Sequence, residues 1–179
     1  MAEKFYMELQ SLRMETLEMA HLGREMLRSA VDALIRQDPD LAESVIARKE
    51  DIRQMEVRLE EHCYHLIALY QPMAKDMRFI ACTLKVINAS LRIGRYGKTI
   101  AKIVREIPNA PPVASFMSIP HMADLVIAMI DDVMTAFEKE NLSLIEDLSS
   151  RDDTVDDLWH SMFRQTLTIM MENPKTITR

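Results

Sequence analysis

The sequence is short of the residues that form turns and sheets. Its 179 residues include only three glycines and seven prolines, and 6% are aromatic. Sheet proteins need frequent turns and runs of β-branched or aromatic residues, so these shortages exclude most sheet architectures. Because 48% of the residues are apolar, the chain can still bury a core, and we expect it to be almost entirely helical.

Two further shortages narrow the class of protein. Cys63 and Cys82 have no paired spacing and lie within helical patterns, so we interpret both as buried thiols rather than as a disulfide or zinc site. The longest stretch without an ionisable side chain, IPNAPPVASFMSIP, contains four prolines and is too short to cross a bilayer. The sequence therefore indicates a soluble protein of a reducing, cytoplasmic setting.

Charge is distributed unevenly along the chain. Residues 1–107 carry 17 Lys and Arg against 16 Asp and Glu, whereas residues 108–179 carry 5 against 12. The formal net charge of −6 therefore arises in the second part. Nucleic-acid-binding domains usually present a clustered basic face on a basic domain, so we expect no nucleic acid partner.

Apolar residues recur at three- and four-residue spacing through most of the chain, which predicts five long amphipathic helices. The dipeptides Asp38-Pro39 and Gln71-Pro72 end the first two helices, and the third runs from about 73 to 106. Ser118 is predicted to cap the fourth helix, and Asn141 separates it from the fifth.

The second part of the chain repeats the first at an offset of 103 residues. Helical periodicity alone would match many apolar positions, but the inter-helix break and one arginine also match, so we infer an internal duplication. The first copy has three helices, and the second has two in this chain. Matched positions are Met19, Leu22, Met26, Ala33, Leu41, Val45, Arg48, Ile52 and Met55 with Met122, Leu125, Met129, Ala136, Leu144, Leu148, Arg151, Val155 and Leu158.

An acidic run, RDDTVDDLWH at 151–160, is the main candidate for a metal site. Asp152, Asp156 and His160 are four residues apart and so share one helix face. Carboxylates favour hard or borderline cations, but two of them need further ligands from another helix, and a solvated acidic face is the alternative. At the 103-residue offset Asp152 and Asp156 correspond to Lys49 and Arg53, so one copy has carboxylates where the other has cations.

The third predicted helix is strongly basic. Between residues 61 and 106 the only acid is Asp76, against eight cations: Lys75, Arg78, Lys85, Arg92, Arg95, Lys98, Lys102 and Arg105. Such a run forms either a solvated face or a contact surface for an acidic partner, an anion or an anionic lipid. We predict that Arg92, Arg95 and Lys98 bind a partner.

A ferritin-like carboxylate enzyme or metal-storage protein is the alternative function. Glu18 and His21 form an ExxH pattern, and Asp157 and His160 form a DxxH pattern. Ferritin-like sites use a Glu-x-x-His on each of two helices with further glutamates opposite, and only one true ExxH is present. We predict no catalytic residue, since neither a glycine-rich phosphate loop nor a GxSxG elbow occurs.

Two motifs resemble those of the PhoU family of phosphate-uptake regulators. They are QPMAKDMRFI at 71–80, which matches QPxAxDLR except for Met77, and LRIGRYGKTIAKI at 91–103, which keeps only Arg92, Ile93 and Gly94 of ERIGD. The resemblance implies an all-α tandem repeat of three-helix bundles, the second lacking its third helix in this chain. We therefore predict a first repeat at 1–107, a linker at 108–118 and an incomplete second repeat at 119–179.

The sequence departs from the family pattern at positions that bind metal in other members. Family members that bind metal clusters use paired E/DxxxD motifs on adjacent helices, but the first repeat has Lys49 and Arg53 on one helix and Leu91 and Arg95 on the other. The resemblance therefore implies no metal in the first repeat. It implies a divalent or iron-type ion at Asp152 and Asp156 in the second.

The resemblance also implies a role. Family members are non-enzymatic adaptors at the inner face of the membrane that keep phosphate uptake low when phosphate is plentiful. The expected partners are phosphate transporter components or a regulatory kinase, and a second copy of the chain in a homodimer. The expected location is cytoplasmic, with peripheral contact at the membrane.

Overall fold

A computed structural model describes residues 2–107 and 118–174, and those residues are almost entirely helical, with no strand among them. The predicted all-α class is confirmed. The predicted linker lies outside the described residues except for residue 118. The six α-helices are α1 Ala2–Arg36, α2 Pro39–Ala47, α3 Lys49–Tyr70, α4 Ala74–Glu106, α5 Ile119–Lys139 and α6 Leu148–Glu172, with a 3₁₀ turn at Leu142–Ile145 between the last two.

Helices α1, α3 and α4 form a three-helix bundle, with α2 covering one end of α1 and α4. Its core consists of completely or almost completely buried side chains at seven-residue spacing, which keeps each row on one helix face. Burying each of these side chains stabilises the fold by roughly 1.5–3 kcal/mol. The rows are Leu12, Met19 and Met26 on α1, Ile52, Leu59 and Leu66 on α3, and Ile80 and Ile87 on α4.

The predicted second helix is two helices in the structure. The apolar stripe indicated one helix between the two prolines, but the chain breaks at Arg48, where neither glycine nor proline occurs. On one side of the break α2 buries Ala42 and Val45 completely, and on the other α3 buries Ile52. The two segments thus pack as separate elements, which local sequence preference does not indicate.

The duplication is visible in how two helices end. Helix α1 ends at Arg36 and α5 ends at Lys139, 103 residues later. The next residues, Gln37 and Glu140, both have left-handed backbone conformations, with φ of 53° and 50°. Non-glycine residues rarely adopt such angles, so their recurrence at the same offset supports the repeat.

The residues that follow these helix ends are also equivalent. The amides of Asp38 and Asn141 donate to the carbonyls of Ala33 and Ala136, each at 3.0 Å. Both side chains then accept a hydrogen bond from the amide two residues on, at 3.1 and 3.0 Å. An Asp or Asn at this position satisfies free amides at the start of the next helix, so the repeat extends to the capping interactions.

The second part of the chain is more exposed than the first. Helix α5 packs on α1 and buries Ala123, Ile127, Met134 and Ala136. Helix α6 packs on α5, and none of its described residues is buried. Among the described residues this part has no counterpart of α4.

Two local predictions are wrong. Ser118 precedes α5, but its side chain makes no capping hydrogen bond, because its backbone is already helical rather than extended (φ −85°, ψ −17°). Cys82 is exposed, since the turn of α4 directs its neighbours Ile80 and Thr83 inward instead. Cys63 is buried as predicted, and burial, followed by the charge of Glu60, raises its pKa to about 11.

Candidate functional site

Helix α4 exposes its cations on the surface of the bundle. Seven of its eight basic side chains are exposed, and Lys98 is half-buried. Lys75 forms an ion pair with Glu140 at 2.9 Å, and Arg105 forms one with Glu43 at 3.3 Å. Within residues 2–107 and 118–174 the other six have no acidic partner. This helix therefore presents uncompensated positive charge.

The structure brings two of the three predicted partner-binding residues into a pocket with α3. Arg95 and Lys98 of α4 and Lys49 and Arg53 of α3 line a cavity of about 30 Å³. None of the described residues that line this cavity is acidic. We call these four side chains the cationic pocket.

The remaining predicted residue, Arg92, lies outside the cationic pocket. Its guanidinium donates a hydrogen bond to the hydroxyl of Tyr96 at 3.3 Å, and this hydrogen bond raises the pKa of Arg92. Of the three residues predicted to bind a partner, Arg92 thus lies apart from α3, whereas Arg95 and Lys98 line the pocket with α3.

Gly94 allows the close contact between α3 and α4 beneath the pocket. A Cβ on this residue would lie 2.6 Å from Cδ1 of Ile52 and 3.2 Å from Sδ of Met26. Both distances are shorter than an ordinary van der Waals contact. Because the hydrogen atom of glycine leaves this room, α4 approaches α3 closely enough for Arg95 to lie near the α3 cations.

The cations of the pocket affect one another. Partial burial lowers the pKa of the Lys98 ammonium, and nearby positive charges lower it further: Lys102, Lys49 and Arg95. Of the four cations, Arg53 is the one with an acidic partner among the described residues: the carboxylate of Glu50 lies 2.6 Å away. Hydrogen bonds from Arg53 lower the pKa of Glu50. One carboxylate therefore offsets only part of the charge of four cations.

Asp152 and Asp156 are exposed on α6, and no ion pair joins either to a cation among the described residues. The adjacent Arg151 instead binds Asp132 of α5 at 2.6 Å. In the described part of the chain, no three His, Cys, Asp or Glu side chains form a metal-binding group. The two aspartates supply only part of the coordination that a hard cation requires, so the metal site stays a prediction.

The residues of the ferritin-like alternative do not face a shared interior. Glu18 and His21 are exposed on α1, and Asp157 and His160 are exposed on α6. Ferritin-like sites require ligands that project into the bundle core. The described residues therefore lack the geometry on which that alternative depends.

The contact between the two parts of the chain was not predicted from the sequence. Arg24 of α1 makes two hydrogen bonds of 2.7 Å with the carboxylate of Asp131 on α5. One turn further on, Arg28 binds Asp124 at 2.6 Å. The acidity of residues 108–179 could have indicated this contact, because arginines one turn apart on α1 form a surface of opposite charge.

The QPMAKDMRFI motif also contributes to the contact between the two parts of the chain. Phe79 of the motif stacks on Phe137 with ring centroids 5.7 Å apart. The guanidinium of Arg13 lies 4.8 Å from the centre of the Phe79 ring and also binds Glu140. With the Lys75–Glu140 ion pair, these contacts give the motif a structural role between α1, α4 and α5.

Among the described helices, none combines the length and apolar character needed to cross a membrane.

Comparison with known proteins finds relatives in the PhoU family. A family model described as the PhoU domain matches residues 16–104 and 119–179. The phosphate-specific transport system accessory protein PhoU homolog of Aquifex aeolicus is 33% identical over 176 residues, which are 98% of this chain and 80% of that protein. The PhoU protein of Escherichia coli, which has the same accessory-protein name, is 30% identical over 97% of this chain and 72% of its own length.

Solved structures agree with the sequence comparisons. The crystal structure of PhoU from Pseudomonas aeruginosa superposes with a TM-score of 0.90 at 30% identity, covering 98% of this chain and 84% of that one. The phosphate transport system regulatory protein PhoU from Streptococcus pneumoniae gives a TM-score of 0.86 at 25% identity, covering 94% and 80%. These proteins have the name of the family whose motifs the two stretches of this sequence resemble.

Proposed function

Because the chain belongs to the PhoU family, we propose that it is an accessory protein of a phosphate transporter and regulates phosphate uptake without being an enzyme. Family membership over both repeats carries this proposal. The relatives at about 30% identity are named as accessory proteins of the phosphate-specific transport system. A helical scaffold with a charged outer face suits protein docking.

The proposal assigns docking to three neighbouring cations of α4. Arg92, Arg95 and Lys98 lie on consecutive turns and have no acidic partner among the described residues. An acidic surface on a cytoplasmic transporter component or a regulatory kinase would therefore be attracted without displacing an internal ion pair. Binding at the cytoplasmic face of the membrane would keep uptake low when phosphate is plentiful.

The proposal confines any metal to the second repeat. Asp152 and Asp156 are exposed carboxylates one turn apart, whereas the equivalent residues of the first repeat, Lys49 and Arg53, repel cations. A divalent or iron-type ion at the aspartates would complete its coordination with water or with ligands from another chain. Its contribution would be to hold two protein surfaces together.

Phosphate uptake in cells that lack the gene tests the proposed function. At high external phosphate, deletion should leave uptake high, and the wild-type gene should restore low uptake. The triple variant Arg92→Glu/Arg95→Glu/Lys98→Glu should fail to restore it, because reversed charges repel an acidic partner. Uptake of radiolabelled phosphate in the complemented strains provides the measurement.

A second triple variant controls for the change in charge. Lys4→Glu/Arg36→Glu/Arg164→Glu reverses three exposed cations outside α4 and should restore low uptake as the wild type does. If deletion leaves phosphate uptake unchanged, the proposed function is wrong. If the α4 variant restores low uptake fully, the function stands and the assigned docking surface is wrong.

A further inference from the structure

The cationic pocket gathers more positive charge than docking or packing requires. Lys49 and Arg53 belong to α3 and are not part of the proposed docking surface, yet they line the same cavity as Arg95 and Lys98. Like charges placed together repel, and a half-buried ammonium such as Lys98 also loses hydration. Among the residues that the structure describes, Glu50, which binds Arg53, is the acidic partner that partly compensates this charge.

The pocket is also a formed feature rather than a set of independent surface side chains. Its floor consists of Ile52, which is almost completely buried, and Gly94, whose missing Cβ lets the two helices meet. The cations come from two helices whose positions the bundle core fixes. The four cationic residues therefore line one cavity without requiring the chain to rearrange.

The internal repeat shows that helical packing alone does not impose this charge. The positions of the second repeat that correspond to Lys49 and Arg53 are Asp152 and Asp156. Both signs of charge are therefore compatible with the same place in the repeat. The first repeat has the charge that favours an anion.

We infer that the cationic pocket is a binding site for a phosphate-type oxyanion. An arginine presents two parallel donors to such an anion, and lysines act as additional point charges. Arg95, Lys98 and Lys49 would contact the anion directly. Arg53, held by Glu50, adds to the field at the opening. The inference rests on the pocket itself and does not depend on the proposed role in transport.

The site is suited to a small group rather than to an extended ligand. The cavity of about 30 Å³ has room for little more than a water molecule, so the oxyanion would lie at its mouth between the charged ends. Two sources offer this chemistry: free inorganic phosphate and the phosphate group of an anionic phospholipid. Both would be recognised through the same three side chains.

Titration of the purified protein with inorganic phosphate tests the inference. The amide resonances around Lys49 and Arg95 should shift in a saturable manner when phosphate replaces chloride at constant ionic strength. The double variant Lys49→Gln/Arg95→Gln should bind phosphate at least about tenfold more weakly, because it loses two charge-assisted contacts. Circular dichroism of the variant shows whether it remains folded.

A second double variant controls for the lost charge. Arg78→Gln/Lys85→Gln removes one arginine and one lysine from exposed positions of α4 that belong neither to the pocket nor to the proposed docking surface. It should bind phosphate as the wild type does. The folded Lys49→Gln/Arg95→Gln protein should also melt no lower than wild type in phosphate-free buffer, since the substitutions relieve repulsion.

Sedimentation with vesicles distinguishes the two sources. If phosphatidylglycerol vesicles bind the wild type and the control but not the pocket variant, while inorganic phosphate does not bind, the ligand is a lipid headgroup. Saturable binding of inorganic phosphate that the pocket variant loses identifies free phosphate. Equal binding by the pocket variant in both assays, or no binding of either ligand to the wild type, would overturn the inference.

Discussion

Glu140 joins three elements through a single side chain. Its carboxylate binds Lys75 of α4 and Arg13 of α1, and the residue itself follows the last residue of α5 in a left-handed conformation. The hydrogen bond from Lys75, followed by that from Arg13, lowers the pKa of Glu140 below its usual 4.5. The side chain is 41% exposed, so solvent screens these ion pairs and keeps their contribution small.

The lowered pKa gives a testable dependence of stability on pH. Folding lowers the pKa of this carboxyl group. Its ion pairs therefore stabilise the fold fully at a pH above the pKa of the unfolded state, and they are lost as the pH falls through the pKa of the folded state. We expect Glu140→Gln to lower the Tm by roughly 2 °C at pH 7. Because the ion pairs of the wild type are lost in acid, this difference should shrink below about pH 4.5.

Thermal melting followed by circular dichroism across the pH range measures this effect. Glu138→Gln is the matched control, since Glu138 is exposed nearby and contributes only its backbone carbonyl to Arg13. The control should change the Tm little at any pH. A difference between Glu140→Gln and wild type that stays constant into acid would show that the ion pairs are not its cause.

At the scale of elements, two glycines of α4 determine how closely the helices pack. A Cβ at Gly97 would lie 2.7 Å from both the carbonyl carbon and oxygen of Met26, which are backbone atoms of α1. A Cβ at Gly94 would instead meet the end of the Ile52 side chain. Backbone cannot move aside as a side chain can, so the two positions differ in what a substitution costs.

We expect Gly97→Ala to destabilise the protein by about 1–2 kcal/mol, because the cost of overpacking exceeds the gain in helix propensity. Gly94→Ala should cost less, and adding Ile52→Val should recover part of the loss by removing the clashing methyl group. Urea denaturation of the variants measures these differences. Equal effects of the two glycine substitutions would contradict a backbone contact at Gly97.

The elements themselves were largely predictable. Proline after Asp38 and Gln71 marked two helix ends correctly, and the three- and four-residue spacing of apolar residues predicted the long amphipathic helices. The break at Arg48 was not predictable, because no residue there disfavours a helix and packing alone separates α2 from α3. The helical backbone of Ser118, which leaves it without a capping hydrogen bond, was missed for a similar reason, since a serine is compatible with several backbone conformations.

At the scale of the whole molecule, the cationic pocket depends on contacts between helices that cannot be predicted from the sequence. The exposed basic face of α4 followed from composition, but the convergence of Lys49 and Arg53 on Arg95 and Lys98 joins helices about 45 residues apart. Periodicity shows which side of each helix is buried, not which side chains meet across the interface. The Arg24–Asp131 contact between the two repeats was hidden for the same reason.

Helix α6 exposes apolar side chains that a partner could cover. Trp159, Phe163 and Leu167 form one stripe and are 47%, 51% and 45% exposed, and the two aromatic rings stack with centroids 5.7 Å apart. Aromatic side chains of this size each bury 150–250 Å² when covered, which makes them effective anchors of interfaces. In the homodimer that the sequence predicts, a second copy of the chain would cover this stripe.

Sedimentation equilibrium of the purified protein tests the homodimer. The variant Trp159→Glu/Phe163→Glu should weaken the dimer roughly a hundredfold, because two anchors are replaced by charges that an interface would have to desolvate. Its helical content should stay unchanged, since no described residue of α6 is buried in the monomer. As a control, Met7→Glu/Met14→Glu introduces the same charges at two exposed methionines of α1 and should leave the dimer intact. A wild type that stays monomeric, or a dimer equally weakened by both variants, would show that the α6 stripe is not where two copies meet.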